Sequence, residues 1–256
     1  MIKEIKKECL FGLRSGRVFI LVMSFLFVAI LTPIMLKVVL PEILAWQFPE
    51  LSAEQLGSMI NASQLTSIQG YLSDSFELGL IIVVFTLGGL IAQELNDNTL
   101  VLPLISNKKI SNIVFSKVIF SAVVMFVVVL LSLTVNFAYS GLLFEFEVEY
   151  IKILKAIGVL SIYYLFVISN LMFWGSLLKK TIPTAFMALI SSYLIQAIGG
   201  LFDIHKYLPS GLIHYTSSLS FEASNVLVAG GISLIVSGLL IVASLQRLKS
   251  MELNTR

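Results

Sequence analysis

Charge is scarce in this chain. Only 12% of its 256 residues are Asp, Glu, Lys or Arg, roughly half the share usual in a water-soluble domain. Too little polar surface remains to coat a globule in water, so a soluble fold is excluded. The net charge of +2 is too small for a nucleic-acid partner, which needs a basic patch. One cysteine, Cys9, excludes an internal disulfide and a cysteine-built metal cluster. The two histidines, His205 and His214, lack the spacing that sets two ligands on one helical face, and no metal is expected. Neither H-E-x-x-H nor G-x-S-x-G occurs. The phosphate loop G-x-x-x-x-G-K-[ST] is absent too, and Lys180-Thr181 lacks its preceding glycines. The chain is therefore expected to be no enzyme, to bind no cofactor and to carry no catalytic residue.

Apolar residues are plentiful: 57% of the chain, with a mean hydropathy of +0.97. A helix that spans a membrane needs about 20 mostly apolar residues. Six stretches qualify: 18–40, 76–92, 114–144, 153–178, 182–202 and 226–245. The sequence predicts an all-α polytopic membrane protein, a single transmembrane domain over 1–256. The second stretch is short and is expected to borrow turns from its flanks. Pro33 is expected to kink the first, and Pro183 opens the fifth, where its missing N–H matters little. The first stretch follows a long charged segment with no small-x-small cleavage site, so it is expected to remain in the mature chain.

Basic residues set the orientation. Lys3, Lys6, Lys7, Arg14, Arg17, Lys108, Lys109, Lys117, Lys179, Lys180, Arg247, Lys249 and Arg256 fall on one side of the six spans. Only Lys37, Lys152, Lys155 and Lys206 fall on the other. Both termini are expected in the cytoplasm, in a multi-pass protein of the cell membrane. Residues 1–17 carry Ile2, Ile5, Cys9, Leu10 and Leu13 at spacings near three and four. Their basic residues lie largely elsewhere on the helical wheel. This pattern predicts an amphipathic helix in the headgroup layer. Lys3, Lys6, Lys7, Arg14 and Arg17, with Lys108 and Lys109 further on, would anchor the chain to membrane lipid. On the outer side, Leu51, Leu56, Met59 and Ile60 predict a short amphipathic helix with Ser52 as its N-cap. The loop over 203–212 has the aromatic, Pro and Gly content of an interfacial or re-entrant piece.

The most informative stretch is 93–113. It opens on Glu94, passes Asn98-Thr99, runs through Leu100, Leu102 and Leu104, and turns at Ser106. The next span then begins beside Ser116-Lys117. So many leucines do not belong in a loop that floats in water; they predict a short element presented at the membrane face. Six spans, a basic leader and this loop resemble the permease subunits of ABC-2 type transporters. Asn98 stands where that family usually has Gly, Ser116 replaces a second Gly, and Lys108-Lys109 sits where Pro is common. Leu208-Pro209-Ser210-Gly211 before the last span also resembles the family. The resemblance implies that 93–113 is a cytoplasmic coupling segment. Glu94, Asn98, Thr99, Leu100, Leu102, Leu104 and Ser106 would then engage a separate ATPase subunit, which holds ATP and Mg. It further implies a second permease subunit, identical or homologous, and export as the direction.

Two other classes remain open from the residues alone: an ion-coupled secondary carrier and a membrane assembly protein without transport activity. A carrier needs ionisable groups near the midplane, and no acid is expected deep within a span. Asn136, Asn170 and Gln196 are the strongly polar mid-span groups. They are expected either to line a solute path or to bond neighbouring helices. Gly88-Gly89, Gly199-Gly200, Gly230-Gly231, Ser233/Ser237 and, in the leader, Gly12 and Gly16 are expected to favour close helix packing.

Overall fold

The computed structural model describes residues 2–49, 61–97, 99, 109–221 and 223–254. Among these the regular elements are all helical, and six helices are long and apolar enough to cross a membrane. Helix α1 covers Ile2–Arg14. Gly16 follows it at φ 74°, a left-handed conformation that suits a residue without Cβ. A Cβ there would meet nothing within 4 Å. Gly16 is thus a turn rather than the packing contact its sequence context implied. The turn aims the chain into α2, Arg17–Ile34, which continues through a π-helical segment, Met35–Val39, into α3, Leu40–Gln47. The disturbance follows Pro33, as expected of a residue that cannot donate to the helix ladder. The apolar rod runs on to Gln47, beyond the expected end at Leu40.

The second span departs most from expectation. It begins at Gln64, not Phe76, as α4, Gln64–Leu87. Hydropathy missed the first turns because they are polar on average. Their buried residues are Gln64, Ser67, Ile68, Tyr71, Leu72 and Ser75, at the spacing of one helical face. Ser63 caps the start, its hydroxyl accepting from the Thr66 amide at 3.2 Å. Asp74 and Glu77 therefore lie inside a helix. Asp74 sits about 30 Å along the axis from Glu94, a full hydrocarbon thickness away, where the Thr32 hydroxyl donates to it at 3.0 Å. The helix is interrupted at Gly88 and resumes as α5, Gly89–Asn96.

Helix α6 covers Ile110–Phe144, α7 Tyr150–Leu178 and α8 Thr181–Phe202. A 3-10 turn at His205–Tyr207 and a short helix α9, Gly211–Ser217, lead to α10, Ala223–Asn254. Lys179 and Asp203 end α7 and α8 in the left-handed region, at φ 56° and 51°. Helix α7 is the axis of the bundle, packed by α4, α5, α6, α8, α9 and α10. Tyr163, Tyr164, Phe166 and Met172 of α7 are buried in the core. Helix α9 buries Leu212, Ile213 and Thr216, so this part of the loop tucks into the bundle. The expected helix around Leu51–Ile60 lies outside the described residues.

Candidate functional site

Lysine is the residue least suited to a helical core, yet Lys117 on α6 is among the most buried side chains, at 2% exposure. A cation taken out of water needs charge partners, and three elements supply or frame them. Its Nζ donates to both carboxylate oxygens of Glu8 on α1, at 3.0 Å each. It also donates to Glu94 Oε1 on α5 at 2.9 Å. Glu8 is itself buried. Next to this trio, Arg17 Nη2 donates to Gln93 Oε1 at 2.8 Å, and the guanidinium lies 5.2 Å from the Phe11 ring centre. Arg17 also interacts electrostatically with Glu8 and Glu94. The four ionic side chains sum to zero charge, so the cluster is internally neutral.

Local backbone geometry brings the trio together. Glycine at 12 lets α1 touch α6: a Cβ at Gly12 would stand 2.5 Å from the Phe120 ring. Gly88 stays in the right-handed helical region at φ -55° and ψ -25°, so α5 continues the second span and presents Gln93 and Glu94 to Arg17 and Lys117. Gly88 packs closely, since a Cβ on it would lie 2.8 Å from Val84 O and 3.2 Å from Ala185 Cβ on α8. Beyond α5, the Thr99 amide and hydroxyl both donate to the Glu94 carbonyl, at 3.0 and 3.4 Å. The stretch 93–113 therefore leaves a neck tied by an ion pair between its two flanking helices.

Of the residues singled out from sequence, Glu94 and Thr99 sit at this neck. Asn98, Leu100, Leu102, Leu104, Ser106 and Lys108 lie outside the described residues. Lys3, Lys6, Lys7, Arg14 and Lys109 are exposed, whereas Arg17 is turned inward onto Gln93. The mid-span amides divide. Asn170 donates to Ala188 O at 3.1 Å, Ser191 Oγ at 2.8 Å and Ser192 Oγ at 3.2 Å, pinning α7 to α8. Asn136 donates to Ala29 O at 2.8 Å. Gln196 is half-buried on α8. On the opposite end, His205 and His214 stack with ring centres 5.2 Å apart and planes 7° apart.

Sequence reading missed Glu8 and Gln64. Glu8 interrupts a basic leader and shares a helical face with Gly12, a signal that was available but not decisive. Gln64 is fully buried; its Nε2 donates to Phe137 O at 3.2 Å. Its Oε1 accepts from the amides of Glu147 and Val148 at 2.7 and 2.9 Å, fastening the α6–α7 loop. No residue pattern announced that bond.

Fold and site together define a class: a protein that is helical among the described residues, with six membrane-length helices and a neutral ionic cluster drawn from four of its helices at one end. No family model, curated protein or solved structure matches the chain.

Proposed function

We propose that this chain is the membrane-spanning permease subunit of an ATP-driven exporter of the ABC-2 type, working with a separate ATPase and a second permease subunit. The observation that carries the reading is the Glu94–Lys117 ion pair at the base of the leucine-rich segment. A segment meant to transmit force must not swivel at its attachment. Here both attachments, the end of α5 and the start of α6, are held together by a buried cation. A push on 93–113 then moves the second and third spans as rigid bodies. In this reading the Glu94 end faces the cytoplasm, in line with the bias of Lys and Arg. Helix α1 lies in the adjoining headgroup layer and the segment meets the ATPase, where ATP and Mg bind. Asn136 and Asn170 serve helix packing, so the solute path is assigned to the surface shared with the second subunit. Helices α2, α8 and α10 leave large apolar residues exposed for that contact and for lipid.

Co-purification tests the reading. The chain should bring down an ATPase, and Leu100→Asp or Leu102→Asp should abolish that while insertion persists. Glu94→Ala should weaken coupled ATP hydrolysis more than insertion; equal loss of both would mean simple misfolding. A cross-linker at the exposed Thr99 that catches only lipid or water in cells would overturn the proposal.

A further inference from the structure

Helix α1 has three edges rather than two. At about 100° per residue, Glu8 and Gly12 share an arc of about 40°, and these are its buried residues. Cys9, Ile2 and Leu13 fall on a second such arc, with Ile2 and Leu13 exposed. Lys3, Lys7 and Arg14 fall on a third, all exposed. A helix wedged between protein, hydrocarbon and water is expected to show one buried, one apolar and one charged edge. The buried edge is the unusual one. It packs through a close glycine approach to Phe120 and through the Glu8–Lys117 ion pair. Helix α1 leaves Ile2, Leu10, Phe11 and Leu13 exposed. Its position depends on Glu8 inside and on whatever compensates Lys3, Lys7 and Arg14 outside.

We propose that α1 senses anionic phospholipid: headgroups bound along its basic edge keep Glu8 seated on Lys117, and this seating stiffens the neck of the 93–113 segment. The site rests on the part of the preceding reading that sets the Glu94 end against the charged leaflet, but it needs no ATPase. Two carboxylates share one ammonium. With Glu8 in place, Lys117 is held from two sides and Glu94 meets a fixed partner. With α1 lifted, Lys117 has Glu94 alone and its long side chain regains freedom. The partner is chosen by charge. The basic edge faces outward beside an apolar edge, so the anions must lie at a hydrocarbon boundary, which is where phospholipid headgroups lie. A free anion would not need the apolar edge.

The experiment uses the full chain with Cys9→Ser and Thr99→Cys, carrying a nitroxide at position 99. Label mobility is compared in nanodiscs of phosphatidylcholine alone and of phosphatidylcholine with phosphatidylglycerol. The anionic lipid should slow the nanosecond motion of the label by about twofold or more. Replacing Lys3, Lys7 and Arg14 by Gln should abolish the difference. Glu8→Gln should abolish it as well, while phosphatidylglycerol still binds the chain. No lipid effect in the parent chain overturns the proposal, as does an effect that survives in Glu8→Gln, since bulk surface charge would then explain it. Added inorganic phosphate reproducing the effect in neutral nanodiscs would also overturn it, by making the ligand a free anion. Failure of ATPase co-purification, with the lipid effect intact, would strike only the functional reading above.

Discussion

Ala29 has a carbonyl that its own helix cannot satisfy. The donor four residues on would be residue 33, and proline has no N–H. The structure fills the vacancy from another span: Asn136 Nδ2 on α6 donates to Ala29 O at 2.8 Å. A conspicuous mid-span amide thus has a structural purpose, paired with the proline that created the need. A buried carbonyl left without a donor costs about 1–3 kcal/mol, so Asn136→Leu should lower stability by that order. In a Pro33→Ala background residue 33 supplies the missing N–H, and Asn136→Leu should then cost clearly less. Unfolding in detergent of the four chains of this cycle gives the answer; additive effects would refute the link. Lys117 follows the same logic with charge. A buried ion pair stripped of one member is destabilised by about 3–5 kcal/mol, which is why one lysine can hold two other helices in place.

Among the elements, α1 is the one that meets α6 through a glycine. Its contact with α6 requires that position 12 carry no Cβ, because Phe120 occupies that space. Gly12→Leu should lift α1 and separate Glu8 from Lys117. The native thiol of Cys9, half-buried on α1, then reports the change: its alkylation rate should rise. Phe120→Ala in the same chain should restore slow alkylation by opening room for the leucine. A rate that stays high in the double variant would mean that α1 is held elsewhere. Helix α5 is a second short element defined by a glycine. Gly88, between α4 and α5, faces α8, where a Cβ would stand 3.2 Å from Ala185 Cβ.

For the whole molecule, exposure is uneven. The second and fourth spans are the buried centre of the bundle, while the first, fifth and sixth are mostly open. On α8, Ile182, Phe186, Ile190 and Leu194 project outward at every fourth residue. An apolar groove between α2 and α4 is lined by Phe27, Val28, Leu78 and Ile81. Lipid tails suffice to cover these faces in a lone chain. If the chain works as half of a pair, one face must be withdrawn from lipid. A lipid-soluble photoprobe should label Phe27, Ile190 and Ile235 in the reconstituted single chain. One of the three should be protected if a pair assembles. Equal labelling of all three before and after assembly would count against pairing through α2, α8 or α10.

Composition and hydropathy alone determined that the chain is helical, that it has six membrane-length segments and roughly where five of them lie. Those properties follow from sums over many residues, and lipid demands that each span satisfy its own backbone. The early start of α4 escaped such sums, because Gln64, Ser67 and Ser75 are polar and yet share the buried face with Ile68, Tyr71 and Leu72. Glu94 stood out from sequence as the end of a span, and Lys117 as a basic residue at the start of the next. That Glu8 completes the trio was decided only in three dimensions, across a sequence separation of 109 residues from Lys117. Local pattern reports what a residue is and which face it takes. Which distant charge it meets depends on how helices cross, and here Gly12 admits the close approach of α1 to α6.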